Sequence, residues 1–182
     1  MLTPAFHAAR QRGFTITELM VTGVVLAVLL AIGLPSFNQF IVRNQIRASA
    51  EAIQNGVQLA RAEALRLNAK VRFTLGAGSS SSWSVNVDSG GALVQQSRAS
   101  GEGGSASVTT TSTPANATQI TFNGLGRVVA NTDASATLTA VDVAVSGAPP
   151  NSTLRIQVSS PGGQVRICDP SVTGTTDTRR CL

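Results

Sequence analysis

The sequence predicts an α+β fold in which a long N-terminal helix, membrane-spanning in its first half, packs on a small antiparallel β domain. Two changes of hydrophobic pattern predict it. A 21-residue apolar run covers residues 14–34, and a helical apolar stripe follows it to about residue 68. From residue 69 onward, apolar residues recur at every second position, as they do in strands. The chain of 182 residues therefore reads as one ordinary domain with an N-terminal appendage.

The apolar run predicts a membrane helix. Residues 14–34 carry a single charge, that of Glu18. As a helix they span about 30 Å, the thickness of a bilayer's hydrocarbon core. Arg10 and Arg12 precede the run, and basic residues favour the cytoplasmic side. A secretory signal peptide is disfavoured, because its apolar region is shorter and residues 33–36 form a poor cleavage site.

Glu18 needs a partner that its own segment does not supply. A carboxylate in lipid costs about 2.5–3.5 kcal/mol on insertion scales, so such a residue indicates a function. The sequence has neither Lys nor Arg between residues 14 and 42. The counter-charge must come from another chain, or from a free α-amine made by cleavage. A plain membrane anchor would leave Glu18 without a reason.

The sequence RGFTITELM at residues 12–20 resembles the cleavage and methylation signal of type IV pilins and type II secretion pseudopilins. The resemblance implies a leader, residues 1–13, that a prepilin peptidase removes by cutting between Gly13 and Phe14. It implies N-methylation of Phe14 and pairing of Glu18 with the amine of a neighbouring subunit. It also places a helix kink at Pro35, whose ring removes a helix hydrogen bond. The expected partners are other pilins or pseudopilins, the peptidase and an inner-membrane assembly platform.

A second amphipathic segment extends the helix beyond the membrane. One narrow apolar stripe with alternating spacings of four and three predicts that residues 14–68 form one long helix whose second half packs on the β domain. Asn68 and Ala69 are predicted to end the helix. The stripe consists of Ile46, Ala50, Ile53, Val57, Ala60, Ala64 and Leu67.

Residues 69–182 predict the antiparallel β domain, and an isolated sheet would need the helix stripe to cover its apolar face. More than half of residues 76–118 are Ser, Thr or Gly, which predicts much loop, with edge strands at 93–95 and 108–111. Trp83, which alternates with valines, is expected in the core. The other predicted strands are 70–75, 83–87, 119–122, 127–130, 137–145, 153–159 and 164–168.

The two cysteines predict a disulfide. Cys168 and Cys181 lie beyond a membrane anchor, in a domain expected outside the cytoplasm, where thiols pair. A metal site is not expected, since the only His, His7, is in the leader and two thiols do not make a zinc site. Residues 120–127 (ITFNGLGR), and the sequences GGQVRIC and DTRRC near the end, resemble the GspH/FimT-like group, which implies a pilin-like fold.

Three arginines near the C-terminus leave two interpretations open. Arg166, Arg179 and Arg180 are candidate DNA contacts, because guanidinium groups suit phosphate and some FimT-like pilins bind DNA through this region. The chain lacks their Gly-Arg-x-Arg run, however. The alternative is a solvated loop in which these arginines pair with Asp169 and Asp177. The net charge of +5, or +3 without Arg10 and Arg12, is only mildly basic.

The sequence favours a structural subunit over an enzyme. The only His lies in the leader and would be lost on cleavage. The acids are isolated from one another in the sequence, so none forms a catalytic pair at an informative spacing: Asp88, Glu102, Asp133 and Asp142. No phosphate-binding loop or cofactor motif is present in the sequence. The predicted function is a minor pilin that enters or initiates a type IV pilus, anchored in the bacterial inner membrane with its N-terminus cytoplasmic and its β domain periplasmic. The alternatives are a minor pseudopilin of type II secretion and a DNA-binding minor pilin for natural transformation.

Overall fold

A computed structural model describes residues 13–76, 81–88, 90–97 and 108–181, with the side chains of residues 34–36 left out. The chain divides into two compact units, with the boundary between Asn38 and Gln39. The N-terminal unit contains the first half of the long helix, and the C-terminal unit contains its second half together with the strands. The leader, with Arg10 and Arg12, lies outside the described residues.

One helix, α1, covers Ile16–Leu67. It ends at the predicted stop: Asn68 has a left-handed φ of 48°, and the amide of Ala69 donates to the carbonyl of Ala64 at 3.3 Å. This pattern of bonds terminates a helix by satisfying its last carbonyls. The side chain of Pro35 is among those not described, so the kink at Pro35 stays a prediction.

The strands form two antiparallel sheets rather than one. The five-stranded sheet has the order β3-β2-β1-β5-β6, and the four-stranded sheet has the order β4-β7-β8-β9. In chain order the described strands are β1 Val71–Leu75, β2 Trp83–Val87, β3 Leu93–Ser97, β4 Val108–Thr113, β5 Gln119–Phe122, β6 Val128–Val129, β7 Ala140–Val145, β8 Leu154–Ser159 and β9 Gln164–Cys168.

The helix stripe supplies one side of the core, as predicted. Ile46, Ile53 and Val57 are at most 1% exposed, and they cluster with buried residues of both sheets. Trp83 is buried as well, which confirms its expected place in the core. Leu67 departs from the prediction, because at 38% exposure it lies outside the core. Leu67 is the last residue of α1, where the chain turns away into β1.

The segment expected to be mostly loop contributes more strand than predicted. The candidate edge strands are confirmed as β3 and β4, each at the end of its sheet and each two residues longer than expected. Other strands are shorter than expected. At the start of the predicted strand 127–130, the amide of Arg127 donates to the side chain of Asn123 instead of a neighbouring strand.

Candidate functional site

The first turn of α1 is organised by Thr15. The amide of Glu18 donates to the Thr15 hydroxyl oxygen at 3.2 Å, and the amide of Leu19 donates to the Thr15 carbonyl at 3.1 Å. Thr15 is therefore the N-cap, and Glu18 stands at the third helical position, the arrangement of a capping box. The sequence contains this Thr-x-x-Glu signal at residues 15–18, although the hydrophobic pattern of the helix does not reveal it. Glu18 thus lies where the helix dipole favours negative charge.

Glu18 makes no ion pair with the described residues, and the next basic residue along the helix is Arg43. The described residues of the N-terminal unit, 13–38, contain no Lys or Arg, so this unit supplies no basic side chain to the Glu18 carboxylate. Phe14, which would carry the new α-amine after cleavage, is 77% exposed at the start of this segment. Within the described chain, the Glu18 carboxylate remains available to a cation from outside.

The surrounding helix surface is apolar and uncovered. One helix is long and apolar enough to span a membrane, with a mean hydropathy of 2.3 in its best 18-residue window and none of that window buried in the described structure. Large exposed apolar patches on a protein mark surfaces that meet lipid or another protein. The N-terminal unit thus offers an apolar helix surface with one acidic side chain in its first turn.

The GspH/FimT-like turn at residues 123–127 forms a compact loop between β5 and β6. The Asn123 side-chain oxygen accepts hydrogen bonds from the amides of Leu125 and Arg127, both at 3.0 Å. The Asn123 backbone closes the loop, because its amide donates to the Arg127 carbonyl and its carbonyl accepts from the Gly126 amide. A single asparagine therefore sets the shape of this turn.

This turn docks on the helix. Arg61 donates from Nε to the Gly126 carbonyl at 3.1 Å, and a Cβ on Gly126 would lie 3.2 Å from that Nε. Gly126 also has a φ of 69°, which glycine adopts without strain. On the other side, the Val128 amide donates to the Pro161 carbonyl of the β8–β9 hairpin. The turn thus joins the helix, the five-stranded sheet and the four-stranded sheet.

Cys168 and Cys181 form the predicted disulfide, which closes the C-terminal loop at the end of β9. Arg166, in β9, donates hydrogen bonds to the backbone of this loop. Its guanidinium donates to the carbonyl of Arg180 at 2.5 Å and to that of Thr178 at 3.3 Å. The amide of Asp169 also donates to the Arg179 carbonyl at 2.7 Å. The structure therefore gives Arg166 a structural contact with the loop backbone.

Arg179 has an acidic partner. Its guanidinium lies 2.8 Å from the Asp177 carboxylate, and its own amide also donates to that carboxylate. These hydrogen bonds and the positive charge lower the pKa of Asp177 and raise the pKa of Arg179. Arg180 makes no ion pair with the described residues. The structure thus brings the three candidate DNA contacts together at the C-terminal loop: Arg166 in β9 donates to backbone carbonyls of the loop, and Arg179 in the loop is paired with Asp177.

Two acids that look isolated in the sequence are paired in the structure. Asp142 and Arg155 face each other across β7 and β8, with two hydrogen bonds of 2.6 and 2.8 Å. Arg72 lies 3.5 Å from Asp88, which also accepts a hydrogen bond from Thr132. Register places these partners together, and sequence spacing does not reveal register. Glu102 lies outside the described residues.

Comparison with known proteins identifies the family. A family model described as "Type II transport protein GspH" matches residues 49–162, which is more than half of the chain. The chain belongs to the GspH family. The matched residues begin in the buried half of α1 and end in the β8–β9 hairpin, so the GspH match covers the docked turn at 123–127.

Solved structures show that this GspH-family chain has the pilin fold. One crystal structure of the type IV minor pilin FimU from Pseudomonas aeruginosa matches with a TM-score of 0.56 and 19% identity, covering 75% of this chain and 97% of FimU. A second crystal form matches with a TM-score of 0.52 and 17% identity, covering 71% of this chain and 97% of FimU. A search of curated proteins found no match. Family and fold together make this chain pilin-like, and pilin-like proteins of this kind assemble with other pilins or pseudopilins.

Proposed function

We propose that this chain is a minor pilin of a type IV pilus, which enters or initiates the filament after cleavage between Gly13 and Phe14 and N-methylation of Phe14. The observation that carries the proposal is Glu18, an acid without an ion-pair partner among the described residues, in the first turn of an uncovered apolar helix. The likeness in fold to the minor pilin FimU favours the pilus among pilin-like assemblies.

The mechanism is an exchange of surroundings. In the inner membrane, the helix keeps its apolar surface in lipid, with the N-terminus cytoplasmic and the β domain periplasmic. Cleavage creates an α-amine on Phe14, and Glu18 pairs with the amine of a neighbouring subunit. Because charges attract strongly in a medium of low dielectric constant, this pair favours ordered addition of subunits. The helix then leaves lipid for a bundle of similar helices, so its apolar area stays out of water and the change in burial is small.

The proposed partners follow from these steps. A prepilin peptidase makes the cut, an inner-membrane assembly platform extracts the subunit, and other pilins receive the helix. The chain itself has a structural role, without enzymatic activity, cofactor or metal. Its docked turn and disulfide keep the β domain and the second half of α1 intact while the first half of α1 passes from lipid into the filament.

The test is complementation of an in-frame deletion strain, scored by counting sheared surface pili. We expect the deletion to lose pili and the wild-type gene to restore them. Glu18→Gln keeps a side chain that a capping box accepts and removes the charge, so it should fail to restore pili. Thr15→Ala removes the N-cap side chain and keeps Glu18, so it should restore them at least in part. Glu63→Gln removes the charge of a largely buried acid later on the same helix, one that is paired with Arg66, and this control should behave as wild type.

The outcomes separate the two uses of Glu18. Normal piliation with Glu18→Gln would overturn the charge-pair mechanism. Restored piliation with Glu18→Gln, together with loss of pili in Thr15→Ala at normal protein levels, would assign Glu18 to helix capping instead. Normal pili in the deletion strain would overturn the pilus role itself.

A minor pseudopilin of type II secretion is the second candidate, and the description of the matching family favours it. The same strains decide between the two, since secreted enzymes can be assayed in culture supernatants. Loss of secretion with normal pili would move the function to the secretion pseudopilus. Loss of pili with normal secretion would support the pilus.

DNA binding for natural transformation is the third candidate, and its support is that Arg166 at the end of β9 lies against the loop that carries Arg179 and Arg180. Arg166 is held by backbone carbonyls and Arg179 by Asp177, which leaves Arg180 as the loop arginine without an ion pair among the described residues. Binding of duplex DNA to the full chain in detergent, measured over a range of salt concentrations, tests this role. Loss of affinity with salt and with Arg179→Ala plus Arg180→Ala would support it.

A further inference from the structure

A charged groove separates the buried half of α1 from the C-terminal loop. Its volume is about 330 Å³. Arg47 stands on the helix side and Arg179 on the loop side, and both side chains are more than 70% exposed. The floor is partly apolar. The lining residues are Arg47, Glu51, Leu154, Ile167, Cys168, Asp169 and Arg179.

The groove lies close to the point along α1 where large apolar side chains change from exposed to buried. Phe40 is 61% exposed and Ile41 is 38% exposed, whereas Ile46 is buried against the sheets. Arg47 follows Ile46 directly, and six residues from Ile41 to Arg47 are about 9 Å of helix. Arg43, exposed and without an ion pair among the described residues, lies between them. Guanidinium groups therefore begin within two helical turns of Ile41, the last large exposed apolar residue before the buried stripe.

The ion pairs at the rim are of the kind that changes partners easily. Arg47 pairs with Glu51 at 3.0 Å and Arg179 pairs with Asp177 at 2.8 Å, both at the surface. Exposed pairs of this type contribute little to stability, and an arginine fork fits a phosphate as well as a carboxylate. The arginine side chains are more exposed than those of their acidic partners. An approaching surface therefore meets guanidinium groups first.

The partly apolar floor favours a phospholipid over DNA as the source of the phosphate. Leu154, Ile167 and the disulfided Cys168 give the groove apolar surface beside its charged rim. The glycerol and first methylene groups of a lipid can cover such a surface, whereas a duplex backbone presents sugar and charge. Basic residues next to a membrane anchor are attracted to anionic headgroups.

We propose that this groove, with Arg43 beside it, binds the headgroup phosphate of an anionic phospholipid at the periplasmic surface of the inner membrane. The contact holds the C-terminal loop against the bilayer while the subunit waits there. On assembly, the arginines exchange lipid phosphate for their own acidic partners. The inference rests on the membrane anchoring in the proposed function and is independent of which filament the subunit enters.

The test uses the full chain in nanodiscs of phosphatidylcholine alone or of phosphatidylcholine mixed with phosphatidylglycerol. Hydrogen exchange of amides in residues 169–180 is the readout. For the wild type, we expect severalfold slower exchange in nanodiscs that contain phosphatidylglycerol. For the double variant Arg47→Gln plus Arg179→Gln, we expect the same exchange rate in both kinds of nanodisc. Arg66→Gln is the matched control. Arg66 is an exposed arginine that lies 19 residues after Arg47 on the same helix and is paired with Glu63. Its replacement should leave the lipid effect intact.

Each other outcome overturns the proposal. Equal exchange in both lipids would remove the headgroup contact, and equal loss with Arg66→Gln would reduce it to general charge attraction. Slower exchange in phosphatidylcholine nanodiscs on adding duplex DNA, without an effect of phosphatidylglycerol, would assign the groove to DNA. Insertion into both kinds of nanodisc is scored separately, so a failure of membrane anchoring is distinguished from a failure of lipid recognition.

Discussion

Gly56 and Trp83 are in direct contact: a Cβ on Gly56 would lie 2.7 Å from the indole Cδ2 of Trp83. The same Cβ would come within 2.9 Å of the Phe73 ring, whose centroid is 6.0 Å from that of Trp83. The missing side chain on the helix therefore leaves room for two aromatic rings from β1 and β2. This contact sets how closely the five-stranded sheet approaches the helix.

Gly56→Ala should lower the free energy of unfolding by about 1–3 kcal/mol, the usual cost of overpacking a core. Ala gains about 1 kcal/mol of helix propensity over Gly, so a net loss would identify the steric cause. Denaturant unfolding of the full chain in detergent, followed by circular dichroism, measures the effect. Gly174→Ala, where a Cβ meets open space, is the control and should stay within about 0.5 kcal/mol of wild type.

A double variant distinguishes crowding from other causes. The Trp83 indole N–H has no hydrogen-bond partner among the described residues, so Trp83→Phe removes ring volume without removing a bond there. Gly56→Ala should therefore cost less in the Trp83→Phe background than alone. A strictly additive result would contradict steric contact as the reason for the loss.

The sequence predicts those features of this fold that depend on periodicity or composition. The helix stripe, the alternating strands and the disulfide are all visible in this way. The contact of Gly56 with Trp83, the docking of Gly126 on Arg61 and the pairing of Asp142 with Arg155 join distant parts of the chain, so spacing carries no sign of them. The capping role of Thr15 depends only on the local Thr-x-x-Glu spacing of residues 15–18, which the sequence does contain.

Asn131 is a buried polar residue whose loss should be costly. Its side-chain nitrogen lies within 3.1–3.3 Å of acceptors on Gln119, Ser135 and Ala136, and its oxygen accepts from Thr121 at 2.9 Å. Asn131→Ala would leave several buried groups without partners, and we expect about 1–3 kcal/mol of destabilisation.

Asn86→Ala is the matched control for Asn131→Ala in the same unfolding measurement. Among the described residues the Asn86 side chain makes one hydrogen bond, an exposed one to the Gly91 carbonyl, so its replacement should change stability by less than about 0.5 kcal/mol. Equal effects of the two variants would contradict the importance of the buried network.

The ion pair in the C-terminal loop should respond to acid. Because Arg179 donates to the Asp177 carboxylate, the pKa of Asp177 is lowered in the folded protein. The pair's contribution to stability is present above the unfolded value of about 3.9 and is lost as pH falls through the lower folded value. A ¹³C NMR titration of the Asp177 carboxyl carbon measures the pKa directly. Arg179→Gln should raise it toward the ordinary range, whereas Arg66→Gln should leave it unchanged.

The disulfide should be the main covalent support of the C-terminal loop. Cys168 and Cys181 are 13 residues apart, and closing a loop of this length stabilises a fold by about 3 kcal/mol in the chain-entropy model. Cys168→Ser plus Cys181→Ser should therefore lower the free energy of unfolding by about that amount. Reductant should destabilise the wild type and leave the double variant unchanged.

Arg166 should order the same loop independently of the disulfide, because it donates to the Thr178 and Arg180 carbonyls. Adding Arg166→Gln to the double variant should therefore speed hydrogen exchange in the loop further. An unchanged exchange rate would mean that the disulfide alone orders this loop.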